Sequence, residues 1–139
     1  MKGRVILSMS SYVFDSYAIL ALIHDEPTAD TVEAFLREAK SGGMDLHMSA
    51  INMAEVQFTI LRRSRNPNEL LSGVKSLPLQ IASADEYIAK VVELKAIYPM
   101  SLADCFAAAL ALDLDCPLVT GDPEFRKLEG ILKIEWLEP

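Results

Sequence analysis

Residues 12–20 constrain the fold of this chain more than any other stretch. A short β-prone run, residues 12–14, leads directly into the carboxylate of Asp15. A helix-compatible run, residues 16–23, then begins with no spacer. This order predicts the start of a β-α unit, with Asp15 at the carboxyl end of the first strand. In open α/β sheets, ligands bind at that edge, so the other chemical groups of the chain are best judged by whether they reach Asp15.

The remainder of the chain continues the alternation of strands and helices, with no internal repeat and no long linker. It predicts a single three-layer α/β/α sandwich with a mainly parallel sheet of four to five strands. We expect this domain to occupy residues 9–139, with residues 1–8 as an N-terminal extension of unassigned role. After the first strand and helix, strands are predicted at residues 44–49, 79–82, 117–120 and 133–137, and helices at residues 28–40, 49–65, 69–76, 83–97, 101–114 and 124–128.

Apolar periodicity predicts which face of two of these helices points inward. In the helix at residues 49–65, the inward stripe is expected to contain Ile51, Ala54, Phe58 and Leu61. The helix at residues 83–97 is expected to begin with a capping box, Ser83 to Glu86. Its packed side is expected to contain Ile88, Val91, Val92 and Lys95.

Composition limits the classes of function open to the chain. The net charge of −7 argues against a protein that holds nucleic acid by its own charge, since affinity for phosphate comes mainly from Lys and Arg. It is compatible with an enzyme that recruits cations. The apolar run at residues 106–112 is too short to span a bilayer, so no membrane contact is expected. Cys105 and Cys116 fit no zinc or redox spacing, and we expect them to be reduced and buried, as in a cytoplasmic protein.

Acidic residues stand at the predicted ends and starts of several elements. Asp15 and Asp122 each end a predicted strand, Asp104 lies in the first turn of a helix, and Glu55 lies at the edge of an apolar stripe. Each has a purely structural interpretation. The first two could cap helices, Asp104 could complete a box with Ser101, and Glu55 could point to solvent or pair with an arginine.

Taken together, these acids favour a metal site. Strand-end aspartates of a parallel sheet point to one edge, and a helix start can reach the same edge. Two carboxylates ~5 Å apart repel by about 3 kcal/mol at an effective dielectric of about 20, so a cluster needs cations or raised pKa values. Sites built only from oxygen ligands suit Mg²⁺ or Mn²⁺. Carboxylate-held metal ions of this kind commonly serve attack of water on a phosphodiester.

Four segments of the chain resemble the PIN-domain family and, more narrowly, the toxin ribonucleases of VapB–VapC toxin–antitoxin pairs. They are residues 13–20, 49–55, 101–109 and 118–125. The resemblance implies an α/β/α sandwich and a Mg²⁺- or Mn²⁺-dependent endoribonuclease that acts on RNA. It also implies a homodimer and a small antitoxin that inserts residues into the site. By position, it implies metal ligands at Asp15, Glu55, Asp104 and Asp122, orienting hydroxyls at Ser16 and Thr120, and a peripheral charge at Glu124.

Basic and apolar side chains supply candidates for contacts with RNA or a partner. Arg62, Arg63, Arg126 and Lys127 could grip an RNA backbone or an antitoxin, or could be solvated helix ends. Trp136 is interpreted as a packing residue of the last strand. The apolar faces of the helices at residues 28–40 and 49–65 could hold a dimer partner, although a single-domain core explains them as well.

Two other functions compete with the ribonuclease. One is a catalytically silent PIN-like module that only binds partners. The other is a phosphoryl-transfer or receiver-type domain with Asp15 as nucleophile. The latter fits poorly, because Tyr17 stands where a phosphatase of the haloacid-dehalogenase type has a second aspartate. Gly121 and Asp122 also stand where a receiver domain has a lysine.

Overall fold

Five strands form one sheet in the order β3-β2-β1-β4-β5, and every neighbouring pair is parallel. The computed structural model describes residues 10–138, so the extension predicted for residues 1–8 lies outside the described part. The sheet confirms the predicted α/β architecture. The strands are β1 (Ser10–Phe14), β2 (Met44–Ser49), β3 (Gln80–Ala82), β4 (Leu118–Thr120) and β5 (Ile134–Trp136).

Within residues 10–138, six α-helices connect the strands and cover both faces of the sheet, together with two short 3₁₀ helices, Asp85–Tyr87 and Pro123–Leu128. Several helices begin where the sequence supplies a capping oxygen: the Ser49 and Ser101 hydroxyls accept backbone N–H groups at the starts of α3 and α6. The helices are α1 (Ser16–Ile23), α2 (Ala29–Lys40), α3 (Ala50–Arg63), α4 (Pro67–Lys75), α5 (Ile88–Ile97) and α6 (Leu102–Leu114).

The core consists of two hydrophobic clusters, one on each side of the sheet. Successive residues of a strand point to opposite faces, so Val13 joins the cluster on the α5–α6 side and Phe14 joins the cluster on the α1–α3 side. Helix α6 is buried almost all round, and its alanines at residues 107–109 let it lie close to the sheet. Cys105 and Cys116 are free and buried, as predicted.

The predicted inward face of α3 is wrong. Phe58 and Leu61 are each 60% exposed, and the buried residues are Asn52, Met53, Val56 and Ile60. The helix carries two apolar stripes with the same period, and periodicity alone does not decide which one meets the sheet. The outer stripe is covered only in part, by the Arg62 guanidinium, which lies 5.7 Å from the centroid of the Phe58 ring.

The start and the packed side of α5 also differ from the prediction. A 3₁₀ turn at Asp85–Tyr87 precedes the helix in place of a capping box. Neither the 3₁₀ turn nor α5 begins with a side-chain cap. Val91 and Leu94 are buried, whereas Ile88 and Val92 are more than half exposed. A 3₁₀ turn has about 3.0 residues per turn and an α-helix about 3.6. The residues after the turn therefore point in other directions than a single helical period from residue 83 predicts.

Helix α4 begins earlier than expected, at Pro67, which takes the first helical position that proline favours. Within residues 10–138, no single helix has the length and hydropathy of a membrane span. One bent pair, Asp85–Ile97 with Leu102–Leu114, meets the criterion by length and composition only.

The orientation of α3 predicts unequal costs for two adjacent truncations. Ile60→Ala removes a fully packed side chain and should lower the free energy of unfolding by about 2–4 kcal/mol. Leu61→Ala removes a mostly exposed one and should cost less than about 1 kcal/mol. Urea unfolding followed by circular dichroism measures both, and equal costs would contradict the observed face.

Candidate active site

Asp15 lies at the centre of the candidate site, directly after β1 and at the N-cap of α1. Its side chain is buried, and both carboxylate oxygens accept hydrogen bonds. Oδ1 accepts from the Ala18 backbone N–H at 3.3 Å, and Oδ2 accepts from the Thr120 hydroxyl at 2.6 Å. The capping interpretation is therefore confirmed, and the same carboxylate is also bonded to the end of β4.

Thr120 connects Asp15 to the turn that carries Asp122. The Thr120 Oγ1 atom accepts the Asp122 backbone N–H at 3.0 Å while its own proton goes to Asp15. Asp122 in turn caps the 3₁₀ helix, with Oδ1 accepting the Glu124 backbone N–H at 2.9 Å. Strand pairing between β1 and β4 brings these groups together, which is the convergence that the strand-end positions predicted.

Gly121 and Tyr17 form a contact at this turn that the sequence reasoning missed. A Cβ atom at Gly121 would lie 2.4 Å from the Tyr17 ring, so the ring occupies the space that any other residue would fill. Tyr17 is 39% exposed and stands on the rim of the site. The only sequence signal was a glycine between a strand and an aspartate.

Glu55 reaches the site from α3. The buried Ser16 hydroxyl donates a hydrogen bond to its carboxylate, which joins the first turn of α1 to the second turn of α3. Ser16 and Thr120, the two hydroxyls singled out from the sequence, therefore each hold one of the acids. Glu55 itself is exposed, and among the described residues Ser16 is the one donor to its carboxylate.

Asp104 reaches the site from the first turn of α6. Its backbone N–H donates to the Ser101 hydroxyl at 3.1 Å, and its side chain is half-buried. The fully buried Asn52 donates to the Ala103 carbonyl at 3.2 Å and ties α3 to the start of α6. Asn52 was also missed, although a polar residue within an apolar helix face was a signal for it. Among the described side chains, its Oδ1 is one of two buried polar atoms without a hydrogen-bond partner.

The acids influence one another's protonation. The pKa of Asp15 is raised to about 7. Burial is the largest cause and the charges of Asp104 and Asp122 add to it, whereas the hydrogen bonds from Thr120 and Ala18 oppose the rise.

The pKa of Asp104 is raised to about 6, and burial is again the largest cause. The charge of Asp122 adds to this rise, the hydrogen bond with Ser101 opposes it, and the charges of Glu55 and Glu124 contribute smaller increases. These mutual effects show that Asp15, Asp104, Asp122 and Glu55 belong to one electrostatic neighbourhood.

The donor chemistry of this neighbourhood suits a divalent cation. It offers carboxylate oxygens, which are the ligands that Mg²⁺ and Mn²⁺ prefer. A cation would also offset the repulsion that contributes to the raised pKa values of Asp15 and Asp104. Within residues 10–138, however, no three acidic side chains already form a closed ligand group. The residues fit the ion by chemistry, and the arrangement without an ion is more open than a ligand shell.

The predicted basic contacts divide into two groups. Lys127 donates to Glu124 Oε1 at 2.7 Å and to the Pro99 carbonyl at 3.0 Å, so it neutralises a peripheral acid of the site. Arg126 lies over the ring of Trp136.

Arg62 and Arg63 lie about 10–12 Å along α3 from Glu55, given a rise of about 1.5 Å per residue. Arg63 lines a different cavity, of about 400 Å³, next to His24 and Arg65. The structure therefore brings Arg126 and Lys127 to the acidic edge but not Arg62 and Arg63.

Comparison with known protein families decides the classification. The sequence model of the PIN domain family matches residues 12–131, which is most of the chain. The chain belongs to the PIN-domain family. The resemblance found in the sequence is thereby confirmed, and the acids of this PIN domain occupy the edge described above. No curated protein sequence matches the chain.

Solved structures of similar fold include several toxin–antitoxin proteins. VapBC2 from Rickettsia felis, bound to a DNA fragment from the promoter, is 19% identical, with a TM-score of 0.73 over 92% of this chain and 99% of that one. A toxin–antitoxin complex from Klebsiella pneumoniae is 17% identical, with a TM-score of 0.70 over 91% and 98%. VapBC-1 from nontypeable Haemophilus influenzae is 23% identical, with a TM-score of 0.68 over 91% and 98%. At these identities the likeness establishes the PIN fold.

Removing the Thr120 hydroxyl should loosen the candidate metal ligands. Thr120→Val keeps the shape of the side chain but deletes the donor to Asp15, and loss of such an orienting partner typically costs about 10–100-fold in metal affinity. Thr120→Ser keeps the donor and should bind Mn²⁺ nearly as tightly as the wild type. Titration calorimetry measures both, and unchanged Mn²⁺ affinity in Thr120→Val would count against this role.

Removing the charge of Asp15 should change how the stability of the metal-free protein depends on pH. The pKa of Asp15 is 3.8 in an unperturbed chain and about 7 in the fold, so between these values the folded chain holds a proton that the unfolded chain has lost. The free energy of unfolding therefore falls as the pH rises through this window, and Asp15→Asn lacks that fall.

Urea unfolding with a chelator present measures the effect. Relative to the wild type, Asp15→Asn should gain about 2 kcal/mol between about pH 5 and about pH 8. Because Asp15 and Asp104 influence each other's protonation, the difference between the two proteins reports the titration of Asp15 together with its coupling to Asp104. A stability difference between them that does not vary with pH would show that Asp15 is already ionised in the fold.

Proposed function

We propose that this PIN domain is a divalent-metal-dependent endoribonuclease and the toxin of a toxin–antitoxin pair. The observation that carries the proposal is the shared electrostatic neighbourhood of four acids from separate elements, in which burial and mutual repulsion raise the pKa of Asp15 to about 7. The likeness in fold to the Klebsiella pneumoniae toxin–antitoxin complex supports the toxin role.

The residues that would hold Mg²⁺ or Mn²⁺ are Asp15, Asp104, Asp122 and Glu55. When bound, such an ion supplies Lewis-acid chemistry, activating the attacking water and neutralising charge on the leaving oxygen.

The chain's own contribution is orientation. Thr120 and Ala18 fix the two oxygens of Asp15, and Ser16 fixes Glu55. These donors orient the carboxylates of Asp15 and Glu55 before RNA arrives, which is preorganisation of two of the four acids.

Charge explains why a cation is needed for RNA to approach at all. The chain has 20 acidic and 13 basic residues. The candidate site concentrates several of the acids at one edge, so the phosphates of RNA would be repelled. Bound divalent ions would offset this negative charge and offer the phosphates a direct ligand. The proposal therefore predicts that binding of RNA, and not only its cleavage, depends on divalent ions.

A cleavage assay with two aspartates of the same helix tests the activity. Asp104→Asn removes a charge from the site, and Asp113→Asn removes one about 13 Å farther along α6, given a rise of about 1.5 Å per residue. With Mg²⁺ or Mn²⁺ and a panel of RNAs, Asp104→Asn should lose at least about 100-fold in rate, whereas Asp113→Asn should match the wild type.

Chelator should abolish cleavage by the wild type. Equal rates in the Asp104→Asn and Asp113→Asn variants, or cleavage that survives the chelator, would overturn the proposal.

The antitoxin and the homodimer are part of the same proposal. The fold leaves large apolar side chains uncovered on α3, at Phe58 and Leu61, and on α5, at Ile88, Val92 and Ile97, all more than half exposed. Such patches mark contact surfaces for protein partners. Light scattering of the purified chain should give twice the monomer mass, and coexpression should recover a small partner that suppresses cleavage.

A silent binding module remains the second candidate. The observation in its favour is that no three acids of residues 10–138 form a closed ligand group without an ion. It predicts no calorimetric signal with Mn²⁺ or Mg²⁺ and no cleavage of any RNA in the panel. Saturable Mn²⁺ binding that Asp15→Asn weakens would exclude it.

A further inference from the structure

A small cavity of about 350 Å³ lies beside the candidate site, between the turn after β4 and the end of β5. Its walls include Gly121 from that turn, Arg126 from the 3₁₀ helix, and Trp136 from β5. The volume is at the lower end of the range for small-molecule sites, so it suits a group the size of one nucleobase.

The cavity is placed by the same strand pairing that forms the site. Trp136 is in register with Thr120, whose hydroxyl holds Asp15, and neighbouring strands lie about 4.8 Å apart. Gly121 precedes Asp122 directly and belongs to both the cavity wall and the rim under Tyr17. A strand of nucleic acid with a phosphate at the acids would therefore pass the mouth of this cavity.

The walls present flat surfaces, of which the indole of Trp136 is anchored by a hydrogen bond. The Arg126 guanidinium lies 5.9 Å from the centroid of the Trp136 ring. The Trp136 indole N–H donates to Glu129 at 3.1 Å, and the ring packs against the core cluster on the α6 side. The Arg126 guanidinium lies over the indole ring, and unpaired bases stack on guanidinium planes as well as on aromatic rings.

The charges of the wall select a base rather than a phosphate. Among the lining residues that the structure describes, the ionisable side chains are one cation, Arg126, and two acids, Glu129 and Glu138, so their net charge is −1. A second phosphate would be repelled by this negative charge. A neutral base is not repelled, and it gains stacking contact with the wall.

We propose that this cavity is a nucleobase subsite that seats one unpaired base of the RNA strand adjacent to the phosphodiester held at the acids. The proposal rests on the proposed function for its substrate and adds the class of RNA. The strand must be single at this point, because a paired base is not free to stack on the Arg126–Trp136 pair. Trp136 and Arg126 act as positioning residues.

Trp136 is the only tryptophan of the chain, so its emission reports directly on the cavity. The test uses the full chain with Ca²⁺ in place of Mg²⁺, a short single-stranded RNA, and a duplex of the same sequence, with gels to verify that the RNA stays intact. The single strand should change the emission saturably, and the duplex should leave it unchanged. An equal response to both, or saturable binding by anisotropy with constant emission, would overturn the subsite.

Variants separate stacking from general attraction. Trp136→Leu should weaken binding of the labelled single strand by about tenfold, and Trp136→Phe by less than about threefold. Arg126→Ala should weaken it as well, whereas Arg37→Ala, which removes an exposed arginine on α2, should not. In the cleavage assay, Trp136→Leu should raise KM and leave kcat within about twofold, since the chemistry at the acids is unchanged.

Thermal melting verifies that each variant is folded. If Trp136→Leu does not fold, the comparison of the wild type with Trp136→Phe still tests the subsite. Wild-type affinity in folded Trp136→Leu would overturn the subsite while leaving the ribonuclease proposal intact. If the wild-type protein binds the single strand with the expected change in emission but cleaves no RNA, the ribonuclease proposal is overturned and the subsite stands as a binding site. Absence of binding to every RNA would overturn the subsite.

Discussion

The hydrogen bond from the Thr120 hydroxyl to Asp15 is the contact on which the rest of the site depends. It joins the ends of β1 and β4 across 105 positions of sequence, and it holds a carboxylate that burial would otherwise leave badly solvated. The same hydroxyl accepts from the backbone of Asp122, so one side chain sets the spacing between two acids. The turn, the 3₁₀ helix and the cavity beside Trp136 all follow from this attachment.

Sheet topology explains why the other acids meet at this edge. Strand β1 is central, with β2 on one side and β4 on the other, so the helices that follow β1 and β2 both start beside Asp15. The alanine-rich α6 lies close to the sheet and brings Asp104 to the same edge, while Asn52 ties its first turn to α3. The result is an arrangement whose electrostatic cost is visible in the raised pKa values of Asp15 and Asp104.

Much of this could be predicted from the sequence, because local signals and topology point the same way. The step from strand to Asp15 to helix, the caps at Ser49 and Ser101, and the alternation of elements determine a parallel sheet, and the acid motifs indicate the PIN family. The outward face of α3 could not be predicted, since Val56 and Phe58 belong to apolar stripes of equal period. Periodicity specifies angles between residues but not the absolute rotation of a helix against the sheet.

Contacts between distant segments were also beyond the sequence. The Tyr17 ring over Gly121 and the Arg126–Trp136 stack require knowledge of which turn lies beside which strand, and no local pattern encodes that. Trp136 was interpreted as a packing residue, which describes one side of its ring. Its other side, next to Arg126, became meaningful only once β5 was placed beside β4.

Anomalous diffraction from crystals of the wild-type chain soaked in Mn²⁺ would locate the ion that these acids are proposed to hold. We expect an anomalous peak within bonding distance of carboxylate oxygens from Asp15, Asp104 and Asp122, with the acids drawn closer than they stand without an ion. No peak at this edge under saturating Mn²⁺, or peaks only elsewhere on the surface, would contradict it.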